Sequence, residues 1–547
     1  MLKYKKALGL LLALLMTAAL FAGCGAPGNV TVGGEGGHIL KVGWCTEPDT
    51  LNPITSYSTE SLQLTSLIYE TLLGYDANMN TTYQLAESYE YSNDNKTVTY
   101  HLVHDAKWHD GEPFTSADVV DTYMRIKVDK LSEAVQFAEH LESVTAPDEY
   151  TVVMEFSEPQ AFNMAFVVPI LPKHIWGEMS AEEIEAFPNN EPIGTGPYKF
   201  VEWKQGTVAS VARNEDYHGT QPGPDGVTWV LYGNEEVATQ ALKAGEVDVL
   251  TEVSATLFDS LKDAENIVAV NLPSYSFHYV GINCYQDPVS QGNKLLLDKT
   301  VRQALAHCMN KAQMVEICLS GYGQVGTSIL PSAFDEWKHQ FTDEELIGYD
   351  IEKAKSMLEA AGYVDSDGDG IREKNGEKLD FRIFTVETTA SDVRAAQLLR
   401  DSAELAGIKL TLTTMDENTM GGVVYDTESA DFDLFVWAWD SDYPDPGYLL
   451  GMPLTEQIGN NNEVYYSNPA YDQLYSKQST QVDAAERKAT INEMEKMLYD
   501  DCAANILWYQ DKLQAYRTDR FTGWQECDGG IIYCPTYVNY KEIQPVE

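Results

Sequence analysis

Residues 410–476 carry twelve Asp and Glu and not one Lys, Arg or His, so nothing nearby in sequence neutralises them. Inside that run, residues 437–446 read Trp-Ala-Trp-Asp-Ser-Asp-Tyr-Pro-Asp-Pro, which sets Asp440, Asp442 and Asp445 among three aromatic rings on a proline-stiffened turn. Carboxylates walled by aromatic rings suit a cation, because a buried charge requires a partner and ring faces attract cations as well. A ligand ammonium meets both demands, and the three carboxylates Asp440, Asp442 and Asp445, with Trp439 and Tyr443 beside them, are the groups that could supply them. A solvated acidic turn, with Trp437 and Trp439 packed in the core, is the plainer account of Asp440 and Asp445. Asp440 is kept as a further contact candidate.

Two other constellations invite a metal. Asp365, Asp367 and Asp369 alternate with Ser366, Gly368 and Gly370, which resembles the opening of a calcium loop, where oxygens recur at alternate positions and a glycine makes the sharp turn. The bidentate acid of the twelfth position is missing, since Gly376 stands there, and a strand follows where a second helix belongs. A structural turn is therefore preferred to bound Ca²⁺, and no other cofactor is expected. His101, His104 and His109 with Asp105 and Asp110 imitate a metal cluster, but a strand throws His101 and His104 to opposite faces. The chain has no His-Glu-x-x-His, no Gly-x-Ser-x-Gly and no glycine-rich phosphate loop with its lysine. Paired acids of a glycosidase leave no spacing signature and stay open. No catalytic residue is assigned.

A chain of 547 residues exceeds the ~250 to 300 at which single cores stop growing, so at least two lobes must position these groups. The formal charge of -47 excludes nucleic acid as a natural partner, since phosphate binding needs a basic patch, while 44% hydrophobic residues exclude a disordered acidic tail. Lys3, Lys5 and Lys6 precede an uncharged apolar stretch at 7–22, the pattern of a secretory signal. Phe21-Ala22-Gly23-Cys24 resembles a bacterial lipobox, with Phe21 where Leu is usual, and implies that Cys24 carries an acyl anchor. Residues 1–23 are then the signal and 24–37 a glycine-rich tether. Cleavage moves the formal charge to -50 and leaves seven cysteines besides the anchor, an odd number, with Cys527 and Cys534 flanking a Gly-Gly turn and Cys308 and Cys318 read as apolar filler. No later segment approaches the ~20 apolar residues of a membrane span.

Strand and helix patterns alternate along the rest. Strands are expected at 39–44, 97–103, 151–156, 200–211, 227–232, 279–284, 379–385, 409–414 and 505–509. Helices are expected at 61–73, 116–130, 235–243, 301–319 and 484–500, with further ones opening near 351 and 391. This is α/β texture, and no fixed-period repeat appears.

Trp108-His109-Asp110-Gly111-Glu112-Pro113-Phe114-Thr115, followed by Ala117-Asp118-Val119-Val120, resembles the signature of the family 5 extracytoplasmic solute-binding proteins, the oligopeptide, dipeptide and nickel receptors of ABC transporters. Matches continue in order with Pro48-Asp49-Thr50-Leu51-Asn52-Pro53, Gly194-Thr195-Gly196-Pro197-Tyr198, Arg213-Asn214-Glu215-Asp216-Tyr217, Gly245-Glu246-Val247-Asp248, Val301-Arg302-Gln303-Ala304-Leu305 and the Asp442-Tyr443 turn. The resemblance implies a two-lobed periplasmic-binding-protein-like fold (type II, Venus flytrap) with an extra subdomain in lobe I. Lobe I would comprise 38–74, 191–283 and 506–547, the inserted subdomain 75–190, and lobe II 284–505. It further implies that Asp442 receives the N-terminal amine of a short peptide and that Tyr57, Ser58 and Thr59 lie along the ligand backbone. Partners would be an ABC permease and its ATPases, and the protein a lipid-anchored monomer on the outer face of the cell membrane. Nickel complexes, oligosaccharides or other small solutes remain alternative ligands, because the scaffold hosts all of them.

Overall fold

A computed structural model describes residues 37–546, except 132, 442 and 533–535. Two large sheets organise the chain. The first holds seven strands in the order Ile267–Leu272, Lys512–Arg517, Val249–Leu250, Ile39–Trp44, Gly226–Leu231, Val208–Arg213 and Tyr198–Lys204. Six strands make the second, in the order Gly323–Val325, Ala504–Gln510, Phe277–Ile282, Leu434–Trp439, Asp380–Val386 and Lys409–Met415. A separate four-stranded antiparallel sheet, Ala86–Tyr91, Thr97–Leu102, Thr151–Phe156 and Leu141–Asp148, falls inside the stretch expected as an insertion. No helix among the described residues is long and apolar enough to cross a membrane.

Both crossings between the large sheets differ from the expected boundaries. Phe277–Ile282 pairs with Leu434–Trp439 in the second sheet, so the first crossing is residues 273–276 rather than 283/284. Ala504–Gln510 also belongs to the second sheet, and Asp511 alone separates it from Lys512–Arg517 of the first. The reason is burial: every residue of Phe277–Ile282 is buried, and an unbroken apolar run carries no mark of which sheet it joins. The two crossings are tied together by the Ser274 hydroxyl, which donates to the Gln510 carbonyl.

Local signals explain the elements that frame the cleft. Helix Ala484–Asp501 starts where Asp483 accepts the amides of Ala485 and Glu486, buries Ile491, Met494 and Leu498 on one face, and stops at Cys502 in the left-handed region. The expected helix at 301–319 is two, Lys299–His307 and Lys311–Leu319, because Asn310 caps the second. Cys308 is core filler, whereas Cys318 is only partly buried and reaches a cavity described below.

The motif segments turn out to be packing devices. A Cβ on Gly194 would sit 1.8 Å from the Ile68 carbonyl oxygen, so only glycine lets these two segments approach. His109 docks on the same segment, donating from Nε2 to the Gly196 carbonyl at 3.0 Å and accepting the Gly194 amide at Nδ1 at 3.4 Å. Burial lowers its pKa from 6.5 to about 4. Between those values the unfolded chain binds the extra proton and the folded chain does not, so stability falls as pH drops through that window. The expected outcome is that His109→Gln, compared with the parent by urea unfolding at pH 7 and pH 4.5, is destabilised at pH 7 and loses most of that deficit at pH 4.5.

Candidate functional site

Two cavities open where the bodies meet. The larger, about 660 Å³, is walled by Tyr57 and Tyr69 of the first lobe, Phe166 of the inserted subdomain, and Tyr443, Tyr448 and Asn460 of the second lobe. Its size lies within the ~300 to 1,000 Å³ of small-ligand pockets. Lys130, at the left-handed end of helix Ser116–Asp129, and Lys541, in helix Val538–Glu542, also line it, and no described lining residue is Asp or Glu. The Lys541 ammonium makes no hydrogen bond or ion pair to a described residue, and burial holds its pKa below the ordinary lysine value, with Glu70 acting against that.

The second cavity, about 390 Å³, lies beside the crossings and has the opposite character: Glu235, Glu252, Asp440 and Asp511 line it, with Lys512 as a counter-charge and His278 alongside. Asp440 therefore faces this cavity while Tyr443 faces the other. Burial raises the pKa of Asp440, opposed by the nearby Lys512. His278 donates from Nδ1 to the Asp392 carboxylate at 2.7 Å, and its ring stacks on Trp508 at 5.2 Å.

Asp442 lies outside the described residues. Tyr57 is 83% exposed and projects into the larger cavity. Ser58 and Thr59 line neither cavity: the Ser58 hydroxyl caps helix Thr59–Thr65 by accepting the Ser61 amide and donates to Asp49 at 2.7 Å, and Thr59 begins that helix. Trp439 turns inward, its indole N–H donating to Glu463 at 2.8 Å. Glu463 is buried and also accepts the hydroxyls of Tyr425, at 2.6 Å, and Tyr279. Burial raises its pKa against these three donors. This buried acid ties Trp439 to Tyr425 and Tyr279, none of which lines either cavity.

The other acids of the run find partners far away in sequence. Asp445 is buried and receives a bidentate Arg487 guanidinium, both contacts 2.7 Å. Arg382 binds Asp431 and Asp433. Of the expected cation loop, Asp367 and Asp369 pair with Lys378, at 2.7 and 2.5 Å. Cys24 and Cys534 lie outside the described residues. Lys541, Glu463 and Arg487 escaped the sequence reading, because no spacing connects them to the turn at 437–446.

At the cleft mouth the inserted subdomain touches the second lobe. The Phe137 and Tyr443 rings meet edge to face at 5.2 Å, and the Ala161 amide donates to the Ser479 carbonyl at 2.9 Å.

The family described as "Bacterial extracellular solute-binding proteins, family 5 Middle" matches residues 80–461. Among curated relatives, the oligopeptide-binding protein AppA of Bacillus subtilis (strain 168) is 28% identical over 490 residues, 88% of each chain. The solved structure of AppA from Bacillus subtilis in complex with a nonapeptide superposes with a TM-score of 0.77 at 25% identity, covering 93% of this chain and 99% of that one. NikZ from Campylobacter jejuni in complex with Ni(L-His) gives 0.77 at 23% identity, over 93% and 99%. The fold is thus the two-lobed α/β fold of these binding proteins.

The buried Arg487 pair makes the turn at 437–446 testable apart from any ligand. Arg487→Met strands a buried carboxylate and is expected to cost about 3 to 5 kcal/mol in urea unfolding, while Asp445→Asn combined with Arg487→Met recovers part of it.

Proposed function

The chain belongs to the bacterial extracellular solute-binding proteins of family 5, and from that premise we propose that it captures a short peptide between its lobes and passes it unchanged to an ABC permease driven by cytoplasmic ATPases. The observation that carries this reading is the opposite polarity of the two cavities. Lysines line the larger cavity and carboxylates dominate the smaller one. A peptide is a matching dipole: its ammonium is assigned to Asp442 and its carboxylate to Lys541. A desolvated charge finds a counter-charge at each end, as burial requires.

The aromatic lining from Tyr57, Tyr443 and Tyr448 supplies apolar contact with little demand on side-chain identity. Closure of the two lobes about their paired crossings commits the ligand. Relatives named for oligopeptide binding support a peptide, and the nickel-complex neighbour supplies the alternative cargo. No catalytic step is part of the reading. The anchor is an acyl group on Cys24, which keeps a monomeric receptor on the outer face of the membrane beside its transporter.

Calorimetry with trialanine tests it. Asp442→Asn is expected to weaken binding by about 2 to 5 kcal/mol, and N-acetylation of the peptide to cost little further in that variant. Lys541→Met is expected to weaken the free peptide by about 1.5 to 3 kcal/mol and the C-terminal amide hardly at all. Unaltered affinity in both variants, preference for Ni(L-His) over every peptide, or recovery of cleaved peptide after denaturation contradicts the proposal.

A further inference from the structure

The loop that follows helix Ile351–Ala360 holds a group the receptor cycle does not use. Glu373 is only 7% exposed, and its Oε2 is buried with no hydrogen-bond partner. The other oxygen, Oε1, accepts the Ser366 amide at 2.9 Å and the Ser366 hydroxyl. Counting Asp365 as the first position, Glu373 is the ninth, a ligand position in a twelve-residue calcium loop, and Gly370 at the sixth has φ +91. The missing twelfth-position acid therefore does not empty the coordination sphere, since an acid enters from the ninth.

One carboxylate oxygen each from Asp365, Asp367 and Glu373 lies within 4.8 Å of the others. Oxygens on opposite sides of a Ca²⁺ with contacts of about 2.4 Å stand about 4.8 Å apart, so all three can reach one ion of that size. Mg²⁺, with contacts near ~2.1 Å, asks for a tighter set and keeps more of its water. The donors are hard oxygens without nitrogen or sulfur, which disfavours zinc. An antiparallel bridge between Val364 and Glu373 closes the base of the loop and fixes where Glu373 enters.

We propose that residues 365–373 form a Ca²⁺ site ligated by Asp365, Asp367 and Glu373. Lys378 is its built-in competitor, lying 2.7 Å from Asp367 and 2.5 Å from Asp369. All three of those side chains are substantially exposed, so the ammonium is held by screened contacts that a dication displaces, and its departure frees Asp369 as a further ligand. None of the loop's acids lines either cavity. The ion thus braces the second lobe and leaves peptide affinity alone.

The test is calorimetric titration of CaCl₂ into the chelator-stripped whole protein, with thermal unfolding in parallel. Binding is expected at ~10⁻⁴ to 10⁻³ M, the range of extracellular calcium modules. A Ca²⁺ concentration ten times the Kd should raise Tm by about 2 °C over EGTA, with MgCl₂ doing less. Glu373→Gln should weaken Ca²⁺ at least ~10-fold and Lys378→Ala tighten it several-fold. Asp365→Asn, which should also weaken it, serves if Glu373→Gln fails to fold. The proposal is overturned by absent binding heat and an unmoved Tm at about 5 mM Ca²⁺, by unchanged affinity in the folded acid variants, by equal response to Mg²⁺, or by binding confined to Lys378→Ala.

Discussion

Everything in this molecule follows from how its two large sheets are joined. The chain passes between them at residues 273–276 and again at Asp511, and the crossings are linked through Ser274 and Gln510. Two short extended connections side by side allow rotation of one body on the other while resisting other displacements. On the proposed reading the space between the lobes is both the binding site and the moving part. A ligand that touches both walls biases the closed arrangement by its differential contacts, as any population shift requires. Phe137 against Tyr443, and Ala161 against Ser479, are contacts the protein itself makes between the inserted subdomain and the second lobe.

Net charge and local charge have separate roles. A strongly acidic chain gathers cations over its whole surface, yet the larger cavity is lined by two lysines and no described acid. On the proposed reading, selectivity by the ends of the ligand arises from that local reversal. Four acids of the 410–476 run are committed elsewhere: Asp445 to Arg487, Asp431 and Asp433 to Arg382, and Glu463 to two tyrosines and Trp439. Each is held by partners within the fold, which removes it from the acids left to meet a ligand.

How far the sequence was readable depended on whether the determining signal was local. Strands such as Ile39–Trp44 and helix Ala484–Asp501 declare themselves by periodicity and an N-cap, and the ordered motifs pointed to the two-lobed fold. The expected boundaries near 283 and 505 missed the crossings because Phe277–Ile282 and Ala504–Gln510 are buried strands whose sheet membership is decided by distant partners. Ser58 was legible as part of a binding loop but serves as a helix cap. Arg487 and Lys541 reach the site from distant segments, and no pattern within a window reveals that. Glu373, by contrast, lies at a countable spacing from Asp365, but only the fold shows its carboxylate buried with an unpartnered oxygen.

Small-angle X-ray scattering of the protein with and without a bound peptide tests the central claim most directly. The account predicts that the radius of gyration falls when peptide saturates the cleft and returns when it is removed. A radius that stays constant while calorimetry registers full occupancy would contradict it.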